Sequence, residues 1–168
     1  MNRALLFAMT VLGVASACTL SCSTPDGAAR TTTLTPDRAS FDPVSTALDR
    51  RCGSLDCHGS RYRNLRIWGH DGMRLGLGDI PGGSQTTSDE IDSTYDAVIA
   101  LEPEIMNEVV ADHGQNPERL TLIRKARGTE KHAGGAILVP GDVRDRCLLS
   151  WLEGATDGPA CSQALLLP

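Results

Sequence analysis

Large aromatic side chains are scarce in this chain of 168 residues: Phe7, Phe41, Tyr62, Tyr95, Trp68 and Trp151 are the whole set, 4% of the total. So few rings leave a hydrophobic core short of bulk, a shortfall that a bound apolar group or a covalent cross-link would offset. Positive charge is not in excess either. The net charge is −5, which speaks against nucleic acid as a partner. The longest apolar run, Ala4 to Val14, is too short to span a bilayer permanently. No Ser/His/Asp arrangement or phosphate-binding loop is present, and the four histidines stand in different loop contexts. Hydrolysis and nucleotide chemistry therefore have no residues to run on, and the chain reads as something other than an enzyme.

The six cysteines carry the first positive signal. Residues 1–17 read as an export signal: Arg3 charges the start, residues 4–14 are apolar, and Ala15-Ser16-Ala17 offers a small-residue cleavage site. Cys18 follows at once, so the stretch looks like a bacterial lipoprotein signal whose cysteine becomes the lipidated first residue. Cys22 is the rival anchor, although Thr19-Leu20-Ser21 before it fits less well. Residues 18–40 are dominated by Ser, Thr, Pro, Asp, Ala and Arg. They read as a lipidated flexible tether that cannot bury a core. A domain is expected over 41–168. Export places it on the periplasmic or cell-surface side, membrane-anchored, where disulfides form.

At the start of that domain stands Arg50-Arg51-Cys52-Gly53-Ser54-Leu55-Asp56-Cys57-His58-Gly59. Covalent haem sites are commonly Cys-x-x-Cys-His, in which two thiols add to the porphyrin vinyl groups and the adjacent histidine ligates the iron. The gap here is four residues, and His58 still follows the second cysteine directly. Gly53 and Ser54 ease the wider loop. The plainer reading is a small disulfide loop between Cys52 and Cys57. Zinc has no second Cys/His pair to complete four ligands.

Periodicity fills in a mainly α chain. Asp42 and Pro43 open a helix over 42–51 that delivers Cys52, with Arg50 and Arg51 favouring its C-terminal dipole. Seven glycines interrupt residues 59–84, the irregular first part of a long insert over 59–116. Short strands over 64–67 and 73–75, turning through 68–72, are expected in it. Thr87 and Glu90 make a capping box for a helix bearing Ile91, Tyr95, Val98 and Ile99. Pro103 starts a further turn, with Met106 and Val109 on its apolar face and Gly114 at its end. Asn116-Pro117 opens a third helix with Leu120 and Ile123 inward, Arg119, Arg124, Lys125 and Arg127 outward, and Gly128 as its stop. Asp142 caps a last amphipathic helix carrying Cys147, Leu148, Trp151 and Leu152. A disulfide from Cys147 to Cys161 would pin the tail over 156–168.

In their order, these elements resemble bacterial c-type cytochrome domains. The carrying residues are Cys52, Cys57 and His58, then Leu122-Ile123-Arg124-Lys125, His132-Ala133-Gly134-Gly135, and Trp151-Leu152-Glu153-Gly154-Ala155. The likeness covers roughly residues 42–155 as an order of elements. It departs in the cysteine gap, the insert, and the absence of a methionine from the distal loop. The resemblance implies a small cytochrome c-like helical domain binding one covalent haem c at Cys52 and Cys57. His58 is the proximal iron ligand, and the expected role is electron transfer to a redox partner the sequence does not name. A loop over the haem edge, with Trp68 on the porphyrin, would come from the insert. His132, in a glycine-containing loop between two helices, is the expected sixth ligand. Met106, His70, Met73 and His113 are its rivals. The alternative is a disulfide-stapled surface lipoprotein with a binding or structural role. There both Cys52–Cys57 and Cys147–Cys161 are oxidised pairs.

Overall fold

Proline at the first or second position and side-chain caps set most helix starts. The computed structural model describes residues 33–167, and the expected signal peptide, Cys18 and Cys22 lie outside them. The described chain is mainly helical: α1 Asp42–Cys52, α2 Ser88–Ile99, α3 Pro103–Ala111, α4 Thr121–Ala126, α5 Val143–Leu152 and α6 Gly158–Ala164, with 3-10 turns at Arg38–Ser40 and Pro117–Arg119. Thr87 and Glu90 close the anticipated capping box on α2, and Asp142 accepts from the Asp145 amide to cap α5. Pro43 and Pro103 sit in the first turns of α1 and α3, where the missing amide hydrogen costs nothing.

The scarcity of aromatics is resolved by concentration. Phe41, Tyr95 and Trp151 form one buried cluster, with ring centres 5.5 Å apart for Phe41–Tyr95 and 4.7 Å for Phe41–Trp151. Val44, Val98, Met106, Val109, Leu120, Ile123 and Leu152 complete the core around them. Each polar handle finds a backbone carbonyl: Trp151 Nε1 donates to Asp37 at 2.9 Å and Tyr95 OH to Pro36 at 2.8 Å. Both acceptors lie before residue 41. The packed unit thus begins at Thr33, and the last eight residues of the expected tether belong to the fold.

Three local expectations change, and the tail gains an element that was not anticipated. No strand forms among the described residues; between 64 and 75 there is one isolated bridge, Trp68 to Met73. Side chains of α2 take the backbone groups a hairpin would have used. Thr94 Oγ1 accepts from the Trp68 amide, and Glu90 accepts from that of Leu75. The third helix is shorter than 116–128, because Asn116 adopts a left-handed conformation (φ 49°) and makes no side-chain cap. The chain instead turns through Pro117–Arg119, and Glu102 accepts from the Thr121 amide and hydroxyl to start α4. Arg127 points inward, paired through two bonds of 2.8 Å with buried Asp145. Finally, the tail is helical. Asp157, Pro159 and the disulfide define α6, which packs on α5 and α1.

Cys147 and Cys161 are bonded and both buried at 1% exposure. The bridge closes a loop with a sequence separation of 14, for which the chain-entropy account gives about 3 kcal/mol. Replacing both cysteines by serine is expected to lower unfolding free energy by that order in urea titrations. Added reductant should bring the wild-type curve toward that of the variant.

Candidate functional site

Helix α1 ends in the Cys52-to-His58 turn, and the turn is fixed by its own backbone. The His58 amide donates to the Cys52 carbonyl (2.8 Å), while those of Cys57 and Gly59 both donate to Ser54 (2.9 and 3.0 Å). Arg63 clasps the outside, donating from Nε to Cys57 (3.1 Å) and from its terminal nitrogen to Asp56 (2.7 Å). The insert closes the back. A Cβ on Gly59 would overlap the Gly53 carbonyl oxygen and lie 2.7 Å from Gly72 Cα. Glycine is needed there for close approach. Gly53 has an ordinary φ of −82°; a Cβ there would lie 2.5 Å from the Asp49 carbonyl oxygen. Its role is thus proximity to α1 rather than loop freedom. Buried Asp49 ties the same corner together, accepting from the Asp71 amide and the Thr86 hydroxyl.

In front of the turn lies a cavity of about 620 Å³ lined by α1, the Cys52–Leu65 segment, α4, the 131–138 loop and α5. That volume is in the range of small-molecule and cofactor sites. Leu48, Leu65, Leu122, Leu138 and Leu148 give it apolar walls. Cys52, Cys57, His58 and His132 all line it, so the motif and the distal loop, 74 positions apart at their histidines, meet at one place. The two imidazoles face each other with centres 5.8 Å apart and planes inclined by 22°.

Their protonation follows from their neighbours. His58 Nδ1 lies 3.1 Å from the Leu65 carbonyl oxygen, and His132 Nδ1 lies 3.1 Å from that of Gly135. A carbonyl oxygen only accepts, so each Nδ1 carries a proton, and in the neutral ring the lone pair is on Nε2. This backbone support also orients imidazoles that ligate metals. Burial lowers the His58 pKa, with the Leu65 carbonyl opposing and His132 and Arg63 assisting, which favours the neutral ring a metal requires. Burial pushes the Cys52 thiol up to about 11, helped by neighbouring Cys57. Cys52 and Cys57 are free thiols in this structure, in contrast to the bonded Cys147–Cys161 pair.

The rivals for the sixth position lie away from the cavity lining. Met106 is core at 1% exposure. His70 bonds Asp71, Met73 bridges to Trp68, and His113 occupies a left-handed turn after α3. Trp68 is not at the cavity; it lines a separate open groove with Asn64, Arg66 and Asp96. Tyr62, which the sequence did not single out, stands at the cavity with 87% of its surface exposed. Nothing in its local pattern marked it, since an exposed tyrosine in a polar stretch has no periodicity to read. Ile137 and Leu138 were also passed over, although an apolar pair after a Gly-Gly turn is a usable sign of a wall returning to the core. Their amides both donate to the Ala126 carbonyl, at 2.7 and 2.9 Å.

Among the described residues no group of three or more His, Cys, Asp or Glu is placed to hold a metal ion, and no helix is long and apolar enough to cross a membrane. A search of family models, of curated proteins and of solved structures finds no match to the chain.

Proposed function

We propose that the chain is an exported c-type cytochrome-like protein, holding one covalent haem in the cavity before α1 and passing electrons to a partner protein. The observation that carries this reading is the facing pair His58 and His132, each with Nδ1 engaged by a backbone carbonyl and Nε2 left as a donor. The spacing is close to that of one metal between them: two metal–nitrogen bonds of about 2 Å each, plus the depth of each ring, come to slightly more than the 5.8 Å between centres. A four-ligand macrocycle needs only these two protein donors. The absence of a three-residue metal cluster is therefore no obstacle to it.

The residues present fit a porphyrin. Cys52 and Cys57 supply free thiols beside the cavity, the leucine walls supply apolar surface, and the cavity supplies volume. When bound, haem iron would exchange one electron between its ferrous and ferric forms. The chain's own work is to orient both imidazoles through the Leu65 and Gly135 carbonyls, to favour the neutral ring of His58 by burial, and to fix the attachment turn against the insert. Two nitrogen ligands favour a lower reduction potential than a methionine–histidine pair does. The N-terminal lipid on Cys18 would keep the domain at a membrane surface.

The test is direct. The full chain is produced with a cytochrome c maturation system, denatured in acid and weighed. One haem mass on the unfolded chain, abolished by Cys52→Ala with Cys57→Ala, is the expected result. A colourless chain of unmodified mass, with Cys52 and Cys57 joined to each other, would sink the reading and leave a disulfide-stapled lipoprotein.

A further inference from the structure

Exposed aliphatic side chains gather at one place. Among the described residues nine large hydrophobic side chains stand exposed, and three of them, Leu75, Leu77 and Ile80 at 45%, 107% and 66%, fall within the 75–84 loop of the insert. Single exposed apolar residues are ordinary on a protein surface, whereas several on one loop mark a contact. Leu77 lies inside the turn that the Asp79 amide closes on the Gly76 carbonyl (3.1 Å). Asp79 is the one charged residue between 75 and 84.

The stem of this loop is clamped. Arg74, just before it, donates to the Ser84 and Gln85 carbonyls at its far end (2.7 and 2.9 Å), and the Gly82 amide donates to the His70 carbonyl (2.6 Å). The aliphatic tip is thus presented in a fixed form, and little ordering is left to be done on contact. Surfaces that bind proteins are marked by aromatic side chains, methionine and arginine. Residues 75–84 have none of these, only aliphatics among glycine, proline, serine and the one aspartate. That composition suits lipid acyl chains better than a protein face.

Position argues the same way. Arg38 donates to Asp92 (2.6 Å) and Tyr95 to the Pro36 carbonyl (2.8 Å), so the start of the packed unit lies against α2. Glu90, earlier on the same helix, accepts from the Leu75 amide (3.0 Å). The chain from the expected anchor therefore arrives beside the helix that holds the loop. Residues 18–32 are all that separate Cys18 from the packed unit. Even fully extended, that stretch reaches at most about 50 Å, so a lipid on Cys18 keeps the loop within reach of the bilayer.

We infer that the 75–84 loop dips into the headgroup–acyl boundary of the membrane that anchors the chain, with Leu77 and Ile80 inserted and Leu75 at the boundary. The inference rests on the lipid-anchor part of the reading above and deepens it. A tether alone leaves orientation free; a second, apolar contact fixes which face of the domain meets the lipid. Apolar burial drives the contact, since a chain of net charge −5 is not drawn to an anionic surface.

The full chain is produced in a bacterial host, and the mature protein is placed in phosphatidylcholine vesicles carrying a photoreactive diazirine on the acyl chain. The protein's mass reports the N-terminal lipid; after illumination, digestion and mass mapping report where vesicle lipid has coupled. Coupling over 75–80 well above that over 136–141 is the expected result, exposed Val139 giving the level of chance collision. Leu77→Asp with Ile80→Asp should lower it to that level and leave the lipid on Cys18. A lipidated chain whose 75–80 segment couples no more than 136–141 overturns the inference and leaves the anchor reading standing. Coupling that survives the aspartate pair overturns it too, because apolar insertion would not be its cause. A chain with neither lipid nor coupling overturns the anchor reading and the inference together. Coupling at 75–80 on a chain without lipid overturns the anchor reading alone, the loop then reaching the bilayer by its own affinity.

Discussion

Replacing His132 by alanine is expected to leave the haem attached and to open the sixth coordination position. On the proposed reading attachment would depend on Cys52 and Cys57, which lie on a different segment of the cavity lining from the 131–138 loop. The variant's absorption spectrum should change from low-spin to high-spin, and its ferrous form should bind carbon monoxide stoichiometrically where the wild type binds little. The His132 side chain has a hydrogen bond from Nδ1 to the Gly135 carbonyl and the ring contact with His58, within a loop that turns back on itself through the Gly135 amide and the His132 carbonyl (3.1 Å). Removing the side chain therefore costs the fold little and the site a ligand. Met106→Ala and His70→Ala are the controls. If His132→Ala remains low-spin while either control becomes high-spin, the distal assignment moves to that residue and the facing imidazoles have another meaning.

The second large effect falls on the insert. Arg74 and Glu90 form an ion pair with side-chain exposures of 2% and 0%. Arg74 donates from Nε and a terminal nitrogen to the two Glu90 oxygens (2.8 and 3.0 Å), and its other bonds go to the Ser84 and Gln85 carbonyls. Glu90 also accepts from the Leu75 and Thr87 amides (3.0 and 2.9 Å). One carboxylate thereby fastens both ends of the 75–84 loop to the first turn of α2. Glu90→Ala leaves a buried guanidinium without its counter-charge and is expected to cost about 3–5 kcal/mol of unfolding free energy, read from urea denaturation. That is a large part of the stability of a domain this size. Pairing Glu90→Leu with Arg74→Met removes both charges and should recover much of the loss. A single-variant loss below about 1 kcal/mol, the range of exposed pairs, would mean the pair is not buried in solution.

The same carboxylate predicts an acid limb. Burial alone would raise the Glu90 pKa, but the bonds from Arg74 and from the Thr87 and Leu75 amides outweigh it and hold the group at about 2, below its ordinary 4.5. The folded form thus binds the proton less readily than the unfolded one. The stability the pair contributes is complete above about pH 4.5 and disappears as pH falls toward 2.

How far the sequence reached depends on the range of the interaction. Elements set by neighbours in the chain were legible: the Thr87 capping box, the Asp142 cap, the proline-led starts of α1 and α3, and the left-handed stops at Gly114 and Gly128 (φ 75° and 71°). The Cys52-to-His58 turn stood out as a motif, because adjacency of Cys57 and His58 is a chemical pattern needing no fold to be seen. Failures came where a distant partner decided the outcome. The 64–75 segment alternates enough to suggest strands, but Thr94 and Glu90 of α2 claim its amides. Arg127 looks like a solvent-facing cation until Asp145 of α5 is brought beside it. Residues 33–40 have a linker's composition, yet their carbonyls are the acceptors that a buried tryptophan and tyrosine require.

By itself, then, the sequence determined a mainly helical chain, a two-thiol and histidine turn at the end of its first helix, and a candidate second histidine in a glycine-containing loop. Those depend on local spacing, capping and the chemistry of adjacent side chains. Only the tertiary structure decided that His58 and His132 face each other across 5.8 Å, that Leu65 and Gly135 supply the carbonyls that fix their tautomers, and that Arg51 rather than Arg50 turns toward the cavity. The carbonyl supports are short-range, three and seven residues away, but the meeting of His58 and His132 joins residues 74 positions apart. It is set by which faces the apolar core brings together, and no local pattern encodes that choice.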